Sequence, residues 1–195
     1  MATTTFTLVT PVRSSNLVGG ELDVVGCQQV ARLITSLGTP SFGMVVTSGE
    51  TSAWKTANGI GGHSVYAPEL GFTQGQPSFD SVQNLFKTLG PNPVSLAECR
   101  THDKEGLIDE RAARVCERIL GLHEHMRGIS DTHMLIVGHH VLLPAVALAL
   151  VQGWADDGLG VKGRLLEIRL APEVQGLTLT LPEGGAAKLV THQLA

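Results

Sequence analysis

Residues 134–150 read MLIVGHHVLLPAVALAL, and no other stretch limits the fold so tightly. An apolar run breaks at Gly138-His139-His140 and then resumes, with Pro144 near its start. HMLIVG is short and apolar, which predicts a buried strand. LLPAVALALVQG predicts a helix with Pro144 in its first turn, where a missing N–H costs little. A strand that turns at once into a helix is the building unit of a parallel sheet. The run is about long enough to tempt a membrane assignment. Its Gly-His-His centre and Pro144 would then sit near mid-bilayer without a partner, so a membrane partner is excluded.

Other segments repeat the alternation. TFTLVT (5–10) and FGMVVTS (42–48) read as strands, and a helix is expected over 21–37, with Gly38 as its C-cap. TSAWKTAN (51–58) reads as a helix ending in the glycine-rich NGIGG. In PSFDSVQNLFKTLG, the residues Phe79, Val82, Leu85, Phe86 and Leu89 share a helical face, with Ser78 or Ser81 as N-cap. PNPVSLAECRTHDKEG (91–106) reads as a loop, and a longer helix follows from Leu107 to about His125. RLLEIRL and LTLTL read as closing strands before KLVTHQLA. With neither a repeat nor a linker, residues 1–195 are expected to form one domain. The expected architecture is a three-layer α/β/α domain with a mainly parallel sheet, mixed at one edge.

Composition narrows the partners. Apolar residues make up 43% of the 195-residue chain and charged ones 16%, an ordinary soluble balance. A formal net charge of −4 gives no basic footprint for nucleic acid. MATTTFTLVT has no basic residue ahead of its apolar segment, unlike a signal peptide. Cys27, Cys99 and Cys116 have no ligand-like spacing, and their odd number speaks against a disulfide framework. Reduced thiols in a cytoplasmic protein are the expectation. His123 and His125 stand two apart on a helix and point to different faces, so a solvated helix end is expected there and no metal site.

Ligands of open α/β sheets bind beyond the carboxyl ends of the strands, which is where Gly138-His139-His140 falls. Unpaired N–H groups and the dipole of the following helix would favour an anion such as phosphate. The α/β-hydrolase nucleophile elbow fails here, because no serine stands in the turn.

The order of segments resembles that of the histidine phosphatase superfamily, which includes the phosphoglycerate mutase-like enzymes. FTLVTPVRSSN stands where that family has a strand ending in Arg-His-Gly. LDVVGCQQVARLITSLG is similar to its following L-x-x-x-G-x-x-Q-A-x-x-L helix. VVTSGETSAWKTA keeps Ser48, Ala53, Thr56 and Ala57 of V-x-x-S-x-x-x-R-A-x-x-T-A. LIVGHHVLLPAVALAL resembles the strand and helix that carry the second histidine, which would be His139. The resemblance implies a site in which the first histidine is phosphorylated and cations grip the phosphoryl group. A carboxylic acid there protonates the leaving group.

The working residues themselves are missing. In one register Thr10-Pro11-Val12 replaces Arg-His-Gly; in the other Arg13-Ser14-Ser15 does, keeping the arginine and leaving Ser14 as nucleophile. Either way no histidine precedes His63, so the first strand supplies no phosphohistidine. The second arginine falls on Ser52, and the acid falls on Ala67, with Glu69 and Glu105 nearby but out of register. The resemblance with these losses implies a degenerate protein without phosphohistidine catalysis. It would retain a pocket for an anionic or phosphorylated ligand, lined by Arg13, Ser14, Ser52, His139 and His140, and need no cofactor. One alternative is an active phosphatase or mutase whose rearranged site uses His139 as its catalytic residue. Another is a protein–protein interaction module with a vestigial pocket.

Overall fold

The computed structural model describes residues 3–12, 17–18, 21–38, 41–61, 64–71, 79–89, 93–125, 132–154, 159–170, 175–183 and 185–192. Its strands are β1 (Thr3–Val9), β2 (Leu17–Val18), β3 (Glu21–Leu22), β4 (Met44–Thr47), β5 (Ser64–Tyr66), β6 (Thr132–Val137), β7 (Gly176–Pro182) and β8 (Lys188–His192). Its helices are α1 (Val24–Leu37), α2 (Thr51–Ile60), α3 (Phe79–Leu89), α4 (Leu96–His102), α5 (Leu107–His125), α6 (Leu142–Trp154) and α7 (Leu159–Glu167), with a short 3-10 turn at Pro68–Leu70.

The main sheet has the order β5-β4-β6-β1-β7-β8. The first four strands are parallel, and β7 and β8 run antiparallel at the far edge. This is the mixed three-layer sheet expected from the sequence. Alternate residues feed two cores, as the pleat requires. Phe6, Leu8, Met134 and Ile136 pack under Ile108, Val115 and Ile119 of α5 and the apolar face of α6. Val9, Val45, Leu135 and Val137 pack under Val30 and Leu33 of α1 and Ala53 and Ala57 of α2. α6 is buried almost all round, which is why its sequence shows no polar stripe.

Local chemistry sets the boundaries. The Asp23 carboxylate accepts from the Gly26 amide at 2.7 Å, so α1 starts at Val24 and not at residue 21. Gly38 closes α1 with φ 75°, the left-handed conformation expected of it. α2 runs on to Ile60, so Gly59 and Ile60 continue the helix beyond the end expected at Asn58. Gly59 has a packing reason: a Cβ there would lie 3.1 Å from Val30 Cγ1 of α1.

Three further expectations are corrected. The stretch 91–106 contains α4, started by a capping box in which Ser95 and Glu98 satisfy each other's backbone amides. RLLEIRL is the end of α7 and a short connection, in which an isolated bridge links Arg169 to Ser95. Short apolar runs do not distinguish strand from helix, and here the helix begun at Leu159 carries on through Glu167. His123 is no solvated helix end: it is 7% exposed, and its Nε2 lies 2.9 Å from Thr4 Oγ1 on β1. The side chains of Phe79, Val82, Phe86 and His125 lie outside the described residues.

Candidate functional site

Backbone bonds draw four segments together at the carboxyl ends of the parallel strands. The Ser48 amide, after β4, donates to the Val137 carbonyl at the end of β6 (3.2 Å). The Gly138 amide, after β6, donates to the Val9 carbonyl at the end of β1 (3.1 Å). The His139 amide donates to the Leu70 carbonyl in the turn after β5 (3.1 Å). Gly138 serves this close approach, since a Cβ there would lie 3.1 Å from the Leu70 carbonyl oxygen. His139 is thereby fixed at the centre of the strand edge.

His139 also closes the start of α6. Its carbonyl accepts from the Leu142 and Leu143 amides (2.9 and 3.1 Å), and its Nδ1 accepts from the Val141 amide (3.4 Å). The next residue, Pro144, has no N–H to offer. The unpaired donors expected at this helix end are therefore consumed by His139 itself. With Nδ1 accepting, the proton of the neutral ring resides on Nε2.

Burial sets the charge state of the histidine pair. The rings of His139 and His140 stack with centroids 4.3 Å apart. Loss of hydration, aided by His140, pushes His139 well below the usual imidazole range, and burial pushes His140 down to about 4. At neutral pH both rings are uncharged. They are hydrogen-bonding groups and not cations.

Three further residues stand at this strand edge: Ser48 and Glu69, which the resemblance touches on, and Arg111, which sequence reasoning did not single out. Ser48 is 1% exposed, and its hydroxyl has no hydrogen-bond partner. Nothing in a sequence signals a buried, unpaired hydroxyl. Arg111 of α5, itself buried, donates through Nη1 to the Gly71 carbonyl at 2.9 Å and so braces the turn that holds His139. Glu69 pairs with Arg118 of α5 at 3.0 Å, while its second carboxylate oxygen is buried without a partner. Among the described residues, no group of three His, Cys, Asp or Glu side chains is placed to hold a metal ion. No helix among them is long and apolar enough to cross a membrane.

No family model matches the chain, and no curated protein matches it by sequence. Solved structures do match. Phosphoserine phosphatase from Entamoeba histolytica, in complex with 3-phosphoglyceric acid, superposes with a TM-score of 0.59 at 14% identity, over 97% of each chain. A mycobacterial glucosyl-3-phosphoglycerate phosphatase gives 0.57 at 14% identity, over 100% of this chain and 99% of that one. Phosphoglycerate mutase from Bacillus anthracis str. Sterne gives 0.55 at 15% identity, over 97% of this chain and 92% of that one.

This is the phosphoglycerate mutase-like fold.

Within that fold the strand register bears on the two alignments of the first motif. β1 and β6 pair with a constant offset, from Thr4 opposite Thr132 to Val9 opposite Val137. The Gly138–Val9 bond closes the ladder at its last pair, Val9 with Val137, so Thr10 and Pro11 leave β1 where Gly138 and His139 leave β6. Thr10 is still strand-like: its amide donates to the Gln175 carbonyl and its hydroxyl accepts from the Gln175 amide, each at 2.8 Å. Val12 then turns onto α2, donating its amide to Thr56 Oγ1 (2.9 Å), while the Thr56 hydroxyl donates to the Ser52 carbonyl (2.7 Å). Val12 is thus tied to the turn of α2 that carries buried Ser52. Arg13 and Ser14 lie outside the described residues. Lys55, one helical turn after Ser52, pairs with Glu21 of β3 and lies over the Trp54 ring, 4.7 Å from its centroid. Ala67 is fully buried.

Proposed function

We propose that the protein is a non-catalytic variant of the phosphoglycerate mutase-like fold. It keeps the strand-edge site to bind an anionic or phosphorylated ligand, and serves as a binding, regulatory or scaffold module. The observation that supports this reading is that Pro11 follows the end of β1 where His139 follows the end of its parallel neighbour β6, with no histidine in the chain before His63. A phosphohistidine mechanism needs a ring nitrogen to attack phosphorus, and a proline side chain has none. Ala67 at the position expected for the acid, and Ser52 at that expected for the second arginine, support the same conclusion. Each of these losses alone weakens phosphoryl transfer; together they remove the nucleophile, the proton donor and one of the two arginines.

His139 and His140 support ligand binding as neutral hydrogen-bonding groups, His139 through its Nε2–H. The charge for an anion falls to Arg13, two residues after Pro11. The test has two parts. Hydrolysis of p-nitrophenyl phosphate between pH 5 and 8 is expected to be the same for wild type and His139→Ala. Turnover that vanishes in the variant would mean a rebuilt nucleophile and an active enzyme. Inorganic phosphate is expected to raise the thermal midpoint of the wild type and not of Arg13→Ala, since one charge-assisted contact contributes about 1.5–3 kcal/mol. A midpoint indifferent to phosphate in both proteins would leave a vestigial pocket on an interaction module.

A further inference from the structure

A row of four polar side chains crosses four strands on the α1 side of the sheet, at the opposite end of β6 from His139. His133 Nε2 on β6 lies 2.8 Å from Thr7 Oγ1 on β1. Thr7 Oγ1 lies 3.1 Å from Thr178 Oγ1 on β7, and Thr178 Oγ1 lies 2.8 Å from His192 Nε2 on β8. We propose that this row is a tautomer-coupled relay that senses pH at the edge strand: one proton reverses every bond in it, and a second breaks it and loosens β8.

The direction of the neutral row follows from its surroundings. The Ser36 backbone carbonyl of α1 favours a protonated nitrogen on the His192 ring, and with Nε2 facing Thr178 the nitrogen left to meet it is Nδ1. His192 Nε2 is then an acceptor. Thr178 donates to it, Thr7 donates to Thr178, and His133 donates from Nε2 to Thr7. The two rings must therefore hold opposite tautomers. A solvent proton arriving at His192 Nε2 makes that atom a donor. Thr178 must then donate to Thr7 and Thr7 to His133 Nε2, which forces the His133 proton onto Nδ1. A second proton, on His133, puts four hydrogens into three gaps, and one is left without an acceptor at fully buried Thr7.

The groups facing the row are few. α1 presents the Ser36 carbonyl, and Phe42 meets the His133 ring edge-on with centroids 4.6 Å apart. Among the described residues no charged side chain from any element acts on either ring: burial lowers both, and at His192 the Ser36 carbonyl opposes it. The Ser36 carbonyl therefore favours the charged form at His192, and His133 has no such group beside it.

The test is a pH titration of the full-length, 15N-labelled protein from pH 8 downward, reading ring tautomers from two-bond nitrogen–proton correlations. At pH 8, His133 is expected as the Nε2–H form and His192 as the Nδ1–H form. As His192 gains charge, the two His133 nitrogen signals should exchange positions. In Thr178→Val the His133 tautomer should no longer follow His192. Identical tautomers at pH 8, or a His133 ring unmoved while His192 titrates, would overturn the relay. Coupling that survives in Thr178→Val would overturn it too. Once both rings are charged, β8 amides should exchange with solvent several-fold faster while those of β1 and β6 stay protected. Loss of protection in all three strands together would mean general unfolding and sink the proposed latch.

Discussion

His123 and His139 both stand at the ends of apolar segments, yet the structure gives them different work. His139 caps the helix that follows it, whereas His123 reaches from α5 to Thr4 on the central strand β1. His123→Ala should leave the Thr4 hydroxyl buried without that partner and cost about 1–3 kcal/mol, read as a lower urea midpoint with an unchanged slope. A midpoint equal to wild type would show that the contact adds nothing. Helical spacing assigns His123 and His125 to different faces, but it does not say what a face will meet. Hence Thr4 was invisible in the sequence. Glycines make the same point. A Cβ on Gly176 would lie 2.9 Å from the Leu8 carbonyl oxygen, in the backbone of a central strand. One on Gly49 would meet only the ring of Tyr66, itself 55% exposed and able to swing aside. Gly176→Ala should therefore destabilise by about 1–3 kcal/mol and Gly49→Ala by much less, checked by the same denaturation curves.

Elements were legible where periodicity and capping agreed, and obscure where only one was consulted. α1 combines helical spacing with Asp23 at its start and Gly38 at its end, and only its first three residues differed from expectation. α4 has just seven residues, too short for periodicity to stand out. Its signature is the S-x-x-E of Ser95 and Glu98, with Arg169 pairing to the same glutamate from beyond α7. Ser95→Ala removes one half of the capping box and should lower stability by about 1 kcal/mol. Restoring the cap with Ser95→Thr should recover most of the loss. If the alanine variant unfolds at the wild-type midpoint, α4 is held by Leu96 and Cys99 in the core and not by its cap. The β7–β8 edge was half legible: LTLTL alternates as a strand should, whereas RLLEIRL continues a helix begun at Leu159.

Across the whole molecule, the position of the candidate site could be read from the chain because a parallel sheet places its ligands at the carboxyl ends of its strands. Its electrostatic character could not, since whether a histidine is charged depends on burial by segments remote in sequence. That burial has a consequence for the entire fold. His133, His139, His140 and His192 are all held below the usual imidazole range, with loss of hydration as the first cause at each. Near pH 6 the unfolded chain therefore binds more protons than the native one, so stability must rise with pH. It should be complete above about 6.5, the unfolded value, and decline as pH falls toward the folded values, which for His140 is about 4. Each such group adds up to about 1.4 kcal/mol per pH unit within its own window. Urea unfolding at pH 7.5, 6 and 5 should show the decline, above the range where carboxylates begin to contribute. Replacing both ligand-edge rings, as in the His139→Asn, His140→Asn double variant, should flatten the slope without abolishing it, because His133 and His192 still titrate across the sheet. An unchanged slope would mean that the pair is charged in the native protein. The strand-edge site would then carry the cationic wall that its burial argues against.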